Sequence, residues 1–284
     1  MKIANYIRKK LQPYRDKRNF ERFLQKYTKP ELQDNLNKMG ETIGRHSQLK
    51  VIGGGPSAGE AFLEQDDCDY MVVNAYAVVP DYKKYKPKYY VVMDIMFFEE
   101  EVLTATWEKI INDTTWEMYF FMPIEMKTTK VASLFERNPL IKVVYFNGNT
   151  YHSAPEAKRD YAYDHNLALP NPDNVIVGCL YIGIMLKYPI IKMYGVEYDF
   201  IHGLHVDENN NVYFTSRHCY DEDIIGEKSV VIEPPVKTDV ETNLIGYVNT
   251  LRSYKEIKKI AERHNVKIYN CTKKSIIDVF DRLK

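Results

Sequence analysis

From residue 49 onward the chain alternates short, unbroken apolar runs with longer stretches of helical pattern, and this alternation limits the fold more than any other feature. "LKVIGG", "DYMVVNAY", "KYYVVMD", "WEMYFFMP", "IKVVYFNG", "IIKMYGVEYD" and "VKIYNCT" read as strands. They lack the polar alternation of a sheet wetted on one face, so both faces are expected to be covered. Helices are expected near 56–65, 96–112 and 127–137, over 174–188, over "NTLRSYKEIKKIAERHN" and over "SIIDVFDRL". Residues 148–173 read as irregular and 200–247 as a loop-rich, lid-like insertion. The expected class is α/β, a Rossmann-like, mostly parallel sheet with helices on both faces. Ligands of such sheets bind at the C-terminal strand ends, near the point where strand order reverses.

Charge divides the chain in two. It is neutral overall, yet residues 1–48 hold twelve Lys/Arg against five Asp/Glu, so the remainder carries −7. A basic helical extension (1–48) before a Rossmann-like main domain (49–284) is the expected division. The extension either braces the domain or touches anionic lipid headgroups. With an acidic body and no RNP-type motif or zinc finger, no nucleic-acid partner is expected. No apolar run approaches the ~18–20 residues of a membrane span, and the N-terminus is too charged for a signal peptide. A cytoplasmic location, with peripheral contact to a membrane surface, is the expectation. Cys68, Cys179, Cys219 and Cys271 are widely spaced and expected to be reduced thiols.

The first strand runs into "GGGPSAGEAF". Gly53, Gly55 and Ala58 match G-x-G-x-x-A between a strand and a helical stretch. Glycines let backbone approach a ligand, and free N–H groups at a helix start suit phosphate. Pro56 fits the first helical turn. A Cβ on Gly55 is expected to fill the ligand's space; the competing reading is a tight turn with no ligand. The second strand ends in Asn74, where a dinucleotide site carries Asp or Glu for the ribose diol, which disfavours NAD. No GK[ST] comes after the glycines, so the loop is not a Walker-type ATP site. A carrier with one nucleotide fits better.

"VIGGGPS" resembles the I-x-G-x-G-P-S opening of the bacterial sialyltransferases of glycosyltransferase family 42, and of related flagellin-modifying accessory proteins and archaeal pterin pyrophosphokinases. "KPKYYVVMD" places Asp94 where those sialyltransferases carry a donor-binding residue. "NVIVGCLYIGIMLKYPIIKMYGVEYDF" resembles their S-G-x-x-x helix and a strand ending G-[IV]-D-F-Y, and residues 253–280 resemble their closing segment. The likeness runs from about 49 to 283, with gaps at 148–173 and 205–245. It implies inverting transfer of an acidic nonulosonic sugar from a CMP-activated donor to a bacterial surface glycan or glycolipid. No metal and no cofactor would be required, and a homo-oligomer is often found. Gly53, Gly54, Gly55, Pro56, Ser57, Asn74, Asp94, Gly178 and Glu197 would line the CMP site. Lid tyrosines would hold the leaving phosphate and a histidine would deprotonate the acceptor. The chain departs from the pattern at Gly54, usually Asn, at Val177, usually Ser, and at Asp199, usually Tyr with Tyr198 one place earlier. "IGYVNTLRS", where the family carries its base, has no His.

The catalytic candidates lie in 197–223, which holds His202, His205, Tyr213, Arg217 and His218 after a strand end. Tyr213, Arg217 and Tyr198 suit a leaving phosphate. His218 suits the base, since imidazole titrates near neutrality. Asp199, His202, His205 and Asp207 are metal-ligand types, but their spacing matches no metal signature, and no metal is expected. The alternatives are a pyrophosphokinase-like enzyme, which would need a divalent metal, or a non-catalytic nucleotide-binding accessory protein.

Overall fold

The computed structural model describes residues 16–64, 66–94, 97–98, 104–151, 154–171, 173–214, 218–219 and 239–283. Seven strands form one parallel sheet: β1 (Gln48–Ile52), β2 (Cys68–Val73), β3 (Tyr89–Val91), β4 (Met118–Pro123), β5 (Ile141–Phe146), β6 (Ile190–Tyr194) and β9 (Lys267–Asn270). Their order is β5-β4-β3-β2-β1-β6-β9. The chain winds outward from β1 to β5, returns to the other side of β1 for β6, and ends at β9. Strand order therefore reverses between β1 and β6. This is the doubly covered parallel sheet that the unbroken apolar strands call for.

Residues 16–27 form a first helix, α1, and Asn35–Thr42 a second, α2. One face of the sheet packs against α7 (Val175–Met185) and the long Val240–Arg263, here α9. The other packs against α3 (Asp81–Tyr85), α4 (Thr104–Asp113), α5 (Lys130–Leu134) and a 3-10 turn, Ala58–Phe62. α7 is apolar all round and buried from Ile176 to Met185, as a central helix must be. Residues 16–43 share this core. α1 stacks Phe23 on Tyr151 at 4.0 Å between ring centroids. α2 lies so close to the end of α7 that a Cβ on Gly40 would stand 2.8 Å from the Leu186 carbonyl carbon. Asn166 Oδ1 accepts from the Leu36 N–H at 3.2 Å.

Several helical expectations change. Of the described residues 56–64, only Ala58–Phe62 form a 3-10 turn, and the carbonyls of Ala61 and Glu64 are taken up by the buried Lys50 ammonium. Lys50, fully buried in mid-strand, donates to Ala61 O at 2.8 Å and Glu64 O at 3.1 Å and pairs with Asp66. Asp66 also binds Lys192 on β6 at 2.8 Å. The stretch 127–137 breaks into α5 between two 3-10 turns, Ile124–Thr128 and Phe135–Arg137. Residues 148–173 contain a helix, α6 (Glu156–Asp164). α9 starts nine residues before "NTLRSYKE", capped by Asp239 Oδ1 accepting from the Thr242 N–H at 2.7 Å. "SIIDVFDRL" is extended rather than helical: Ile277, Val279 and Phe280 are buried, and Arg282 donates to Ser275 O at 2.6 Å and to Thr272 O. Of the expected lid, 215–217 and 220–238 lie outside the described residues; the described part holds a short helix, α8 (Phe200–Gly203), and a hairpin, β7 (Leu204–Val206) with β8 (Val212–Phe214). Among the described residues no helix is long and apolar enough to cross a membrane.

Candidate functional site

β1 and β6 are neighbours whose onward connections run to opposite sides of the sheet, and the segments leaving their C-terminal ends build the candidate site. After β1, the Gly53 N–H donates to Tyr194 O and the Gly55 N–H to Gly195 O, both at 2.8 Å. After β6, Gly195 takes φ +62, which a Cβ would strain, and a Cβ there would also stand 2.8 Å from Ala58 Cα. A Cβ on Gly53 would overlap Gly195 O. Gly53 therefore serves the close approach of two chain segments. A Cβ on Gly55 would overlap the Glu197 carboxylate, so what it would displace is first of all protein, which corrects the expectation of a purely ligand-filled space.

Beyond these ends lies a cavity of about 820 Å³. Gly53, Gly54 and Gly55 form one edge, Asn74 and Asp94 at the ends of β2 and β3 a second, and Glu197, Tyr198 and Asp199 a third. The N-terminal end of α7 (Asn174 to Ile176) and the first turns of α9 close it. His218 lines it too. The Cys219 N–H donates to Gly54 O at 2.8 Å, which fixes the His218 backbone beside the glycine loop.

Asn74 stands in the left-handed region at φ 50. Tyr90 holds it there: its hydroxyl donates to Asn74 O at 2.5 Å and accepts from the Ala77 N–H at 3.0 Å. Asn74 Oδ1 is buried and has no partner among the described residues, so it waits for a donor. Tyr198 is also left-handed, at φ 53. Its ring stacks on Tyr247 of α9 at 4.6 Å, and the Tyr247 hydroxyl donates to Tyr198 O at 2.8 Å. Burial pushes the Tyr198 phenol up, against a lowering hydrogen bond with Thr250, and nearby Asp173 pushes it further up. Tyr247 is pushed up to about 12, mainly by burial. Both phenols stay protonated at neutral pH and act as donors.

The remaining expected residues stand elsewhere. Pro56 and Ser57 do not line the cavity; the Ser57 N–H donates to Glu197 Oε1 at 2.9 Å. Gly178 lies behind the wall, where its missing side chain leaves room for Met93, which does line the cavity. Tyr213 sits on β8 outside the lining, its hydroxyl donating to Asp207 at 3.2 Å and its ring stacked on His205. In this arrangement its hydroxyl is occupied by Asp207 rather than open to a leaving phosphate. His202 and His205 are exposed and outside the lining. Asp207 orders the hairpin turn, accepting from the Asn209 and Asn211 N–H groups, and hydrogen bonds from Asn211 above all hold its carboxyl low. Among the described residues no group of three metal-ligand side chains converges. Arg217 lies outside the described residues.

Thr242, Asn243, Tyr247 and Thr250 line the cavity from one face of α9 and were not among the expected site residues. Their signal was the spacing 243, 247, 250, together with Asp239 three residues before Thr242, a helix-start signature.

No family model matches this chain, and no curated protein does. Solved structures do. A sialyltransferase, CstII, from Campylobacter jejuni, in complex with a substrate analogue, CMP-3FNeuAc, is 14% identical with a TM-score of 0.43, over 83% of this chain and 85% of that one. A Cst-II sialyltransferase variant in complex with CMP is 15% identical with a TM-score of 0.44, over the same shares. The apo form of an alpha-2,3-sialyltransferase from Campylobacter jejuni is 15% identical with a TM-score of 0.38, over 84% of this chain and 83% of that one.

Proposed function

We propose that the chain is a sialyltransferase-like glycosyltransferase that moves an acidic nonulosonic sugar from a CMP-activated donor to a hydroxyl of a bacterial surface glycan or glycolipid, with inversion. The observation that carries this is the convergence, at the point where strand order reverses, of the glycine loop, an Asn74 acceptor without a partner among the described residues, a protonated Tyr198 and His218 on one cavity. The motif order in the sequence supports the same reading.

In this reading the nucleoside lies against the glycine loop and Asn74. His218 takes the proton of the acceptor hydroxyl as its oxygen bonds to the anomeric carbon. The bond from that carbon to the phosphate oxygen breaks on the opposite face, and CMP leaves with the electron pair. Tyr198, and Arg217 from beyond the described residues, donate to the phosphate as its charge grows. Transfer rather than hydrolysis requires that the acceptor hydroxyl, not water, occupies the place beside the anomeric carbon. The reaction is placed in the cytoplasm, with the exposed Lys17, Arg18, Arg22 and Lys26 of α1 turned to anionic lipid at the inner membrane.

The test supplies a CMP-activated nonulosonic acid with a panel of glycan acceptors and follows anomeric configuration by proton NMR. Acceptor-dependent CMP release with an inverted product is expected, without added metal. Donor hydrolysis that no acceptor alters, or turnover only of nucleoside triphosphate with a divalent metal, contradicts it.

A further inference from the structure

In dinucleotide loops the second glycine lets a pyrophosphate reach the backbone, and free N–H groups at the helix start take up its charge. In this chain that place is already filled. Glu197 Oε1 accepts from the Ser57 N–H at 2.9 Å, and Oε2 lies directly over Gly55, where a Cβ would overlap it. Oε2 is buried and has no partner among the described residues. The segment after the loop is a single 3-10 turn, too short to add much dipole for a second anion. No Lys or Arg stands among the described lining residues to offset one. A carboxylate oxygen is acceptor-only, so the group that satisfies Oε2 must bring its own hydrogen.

We propose that Glu197 is a built-in anion of the glycine loop and that its Oε2 accepts a hydroxyl of the ligand's nucleoside sugar. The chemical class recognised at this edge is a ribose-type vicinal diol, and the nucleotide's phosphate lies away from Gly55. This rests on the nucleotide reading of the same cavity. Glu197 is thus a positioning residue for the loop and a specificity determinant for the sugar face.

Two measurements test it. In the first, the Glu197→Ala protein is heated with and without millimolar inorganic phosphate. Phosphate is expected to raise its melting temperature, by refilling the vacated place, clearly more than it raises that of the unaltered protein. A folded Glu197→Ala protein indifferent to phosphate overturns the built-in anion. In the second, cytidine and 2′,3′-dideoxycytidine are titrated into both proteins. Loss of the diol is expected to weaken binding roughly 10- to 100-fold in the unaltered protein, the size of a hydrogen bond to a charged group, and only slightly in the variant. Equal binding of the two nucleosides by the unaltered protein overturns the diol contact. Phosphate rescue with no nucleoside binding at all overturns the nucleotide reading and the diol contact while supporting the built-in anion. Should Glu197→Ala fail to fold, Glu197→Gln keeps an acceptor for Ser57 and serves the second measurement.

Discussion

Replacing His218 by alanine is expected to cut sugar transfer by roughly 10²-fold or more, the usual size of a general-base contribution, while CMP affinity changes little. Of His202, His205 and His218, only His218 lines the cavity. Its backbone is fixed beside Gly54 through the Cys219 N–H, so the imidazole is held near the glycine loop on a short tether. His205 stacks on Tyr213 at 5.3 Å on an exposed hairpin, and His202 is exposed on α8. His202→Ala should therefore retain close to full activity. The comparison is made on kcat and on the CMP dissociation constant. An acceptor-side base acts in the transition state, so the loss should appear in kcat with CMP binding preserved. Full transfer activity in His218→Ala, or an equal loss in His202→Ala, contradicts the assignment.

Replacing Lys50 by alanine is expected to cost about 3 kcal/mol of folding stability, the lower end of what breaking a buried ion pair costs. The Lys50 side chain is fully buried, and its removal strands the Ala61 and Glu64 carbonyls as well as one oxygen of Asp66. Lys192 remains on the other Asp66 oxygen at 2.8 Å, which moderates the loss. The sign of the pH dependence comes from Asp66. Burial pushes its carboxyl up, but hydrogen bonds from Lys192 and Lys50 outweigh this and leave it below the ordinary carboxylate range. A carboxyl depressed in the folded state contributes stability above its unfolded value, near 3.9, and loses it as pH falls through the folded value. The unaltered protein should therefore weaken below about pH 4, and Lys50→Ala should weaken less over the same range. Urea midpoints at pH 7 and pH 3.5 measure both. A change under about 0.5 kcal/mol at pH 7 would mean that the cluster is bystander to the fold.

The strands were legible because a parallel sheet covered on both faces demands unbroken apolar runs, and each such run is a strand in the fold. The position of the cavity, the candidate site, was legible for a related reason: strand order reverses between β1 and β6, and the "GGGPS" stretch comes directly after β1. Short helices were less so. Lys50 within "LKVIGG" gave no hint that its ammonium would take the carbonyls of Ala61 and Glu64 and pair with Asp66. "SIIDVFDRL" has apolar residues at spacings that serve a helix or an extended segment alike, and Arg282 decides it by taking the carbonyls of 272, 275 and 277. The glycine motif was legible as a close approach, but the group that approaches Gly55 is Glu197, from far along the chain. No local pattern carries that information.

The most direct test of the account is calorimetric titration of CMP into the unaltered protein and into Asn74→Ala. Asn74 lines the cavity, and its buried Oδ1 has no partner among the described residues, so a ligand that donates to it there should lose affinity when that oxygen is removed. The account predicts saturable binding at one site, tighter for CMP than for UMP, ATP or NAD, and weakened roughly tenfold or more by Asn74→Ala. No CMP binding, or CMP binding that Asn74→Ala leaves untouched, would contradict it.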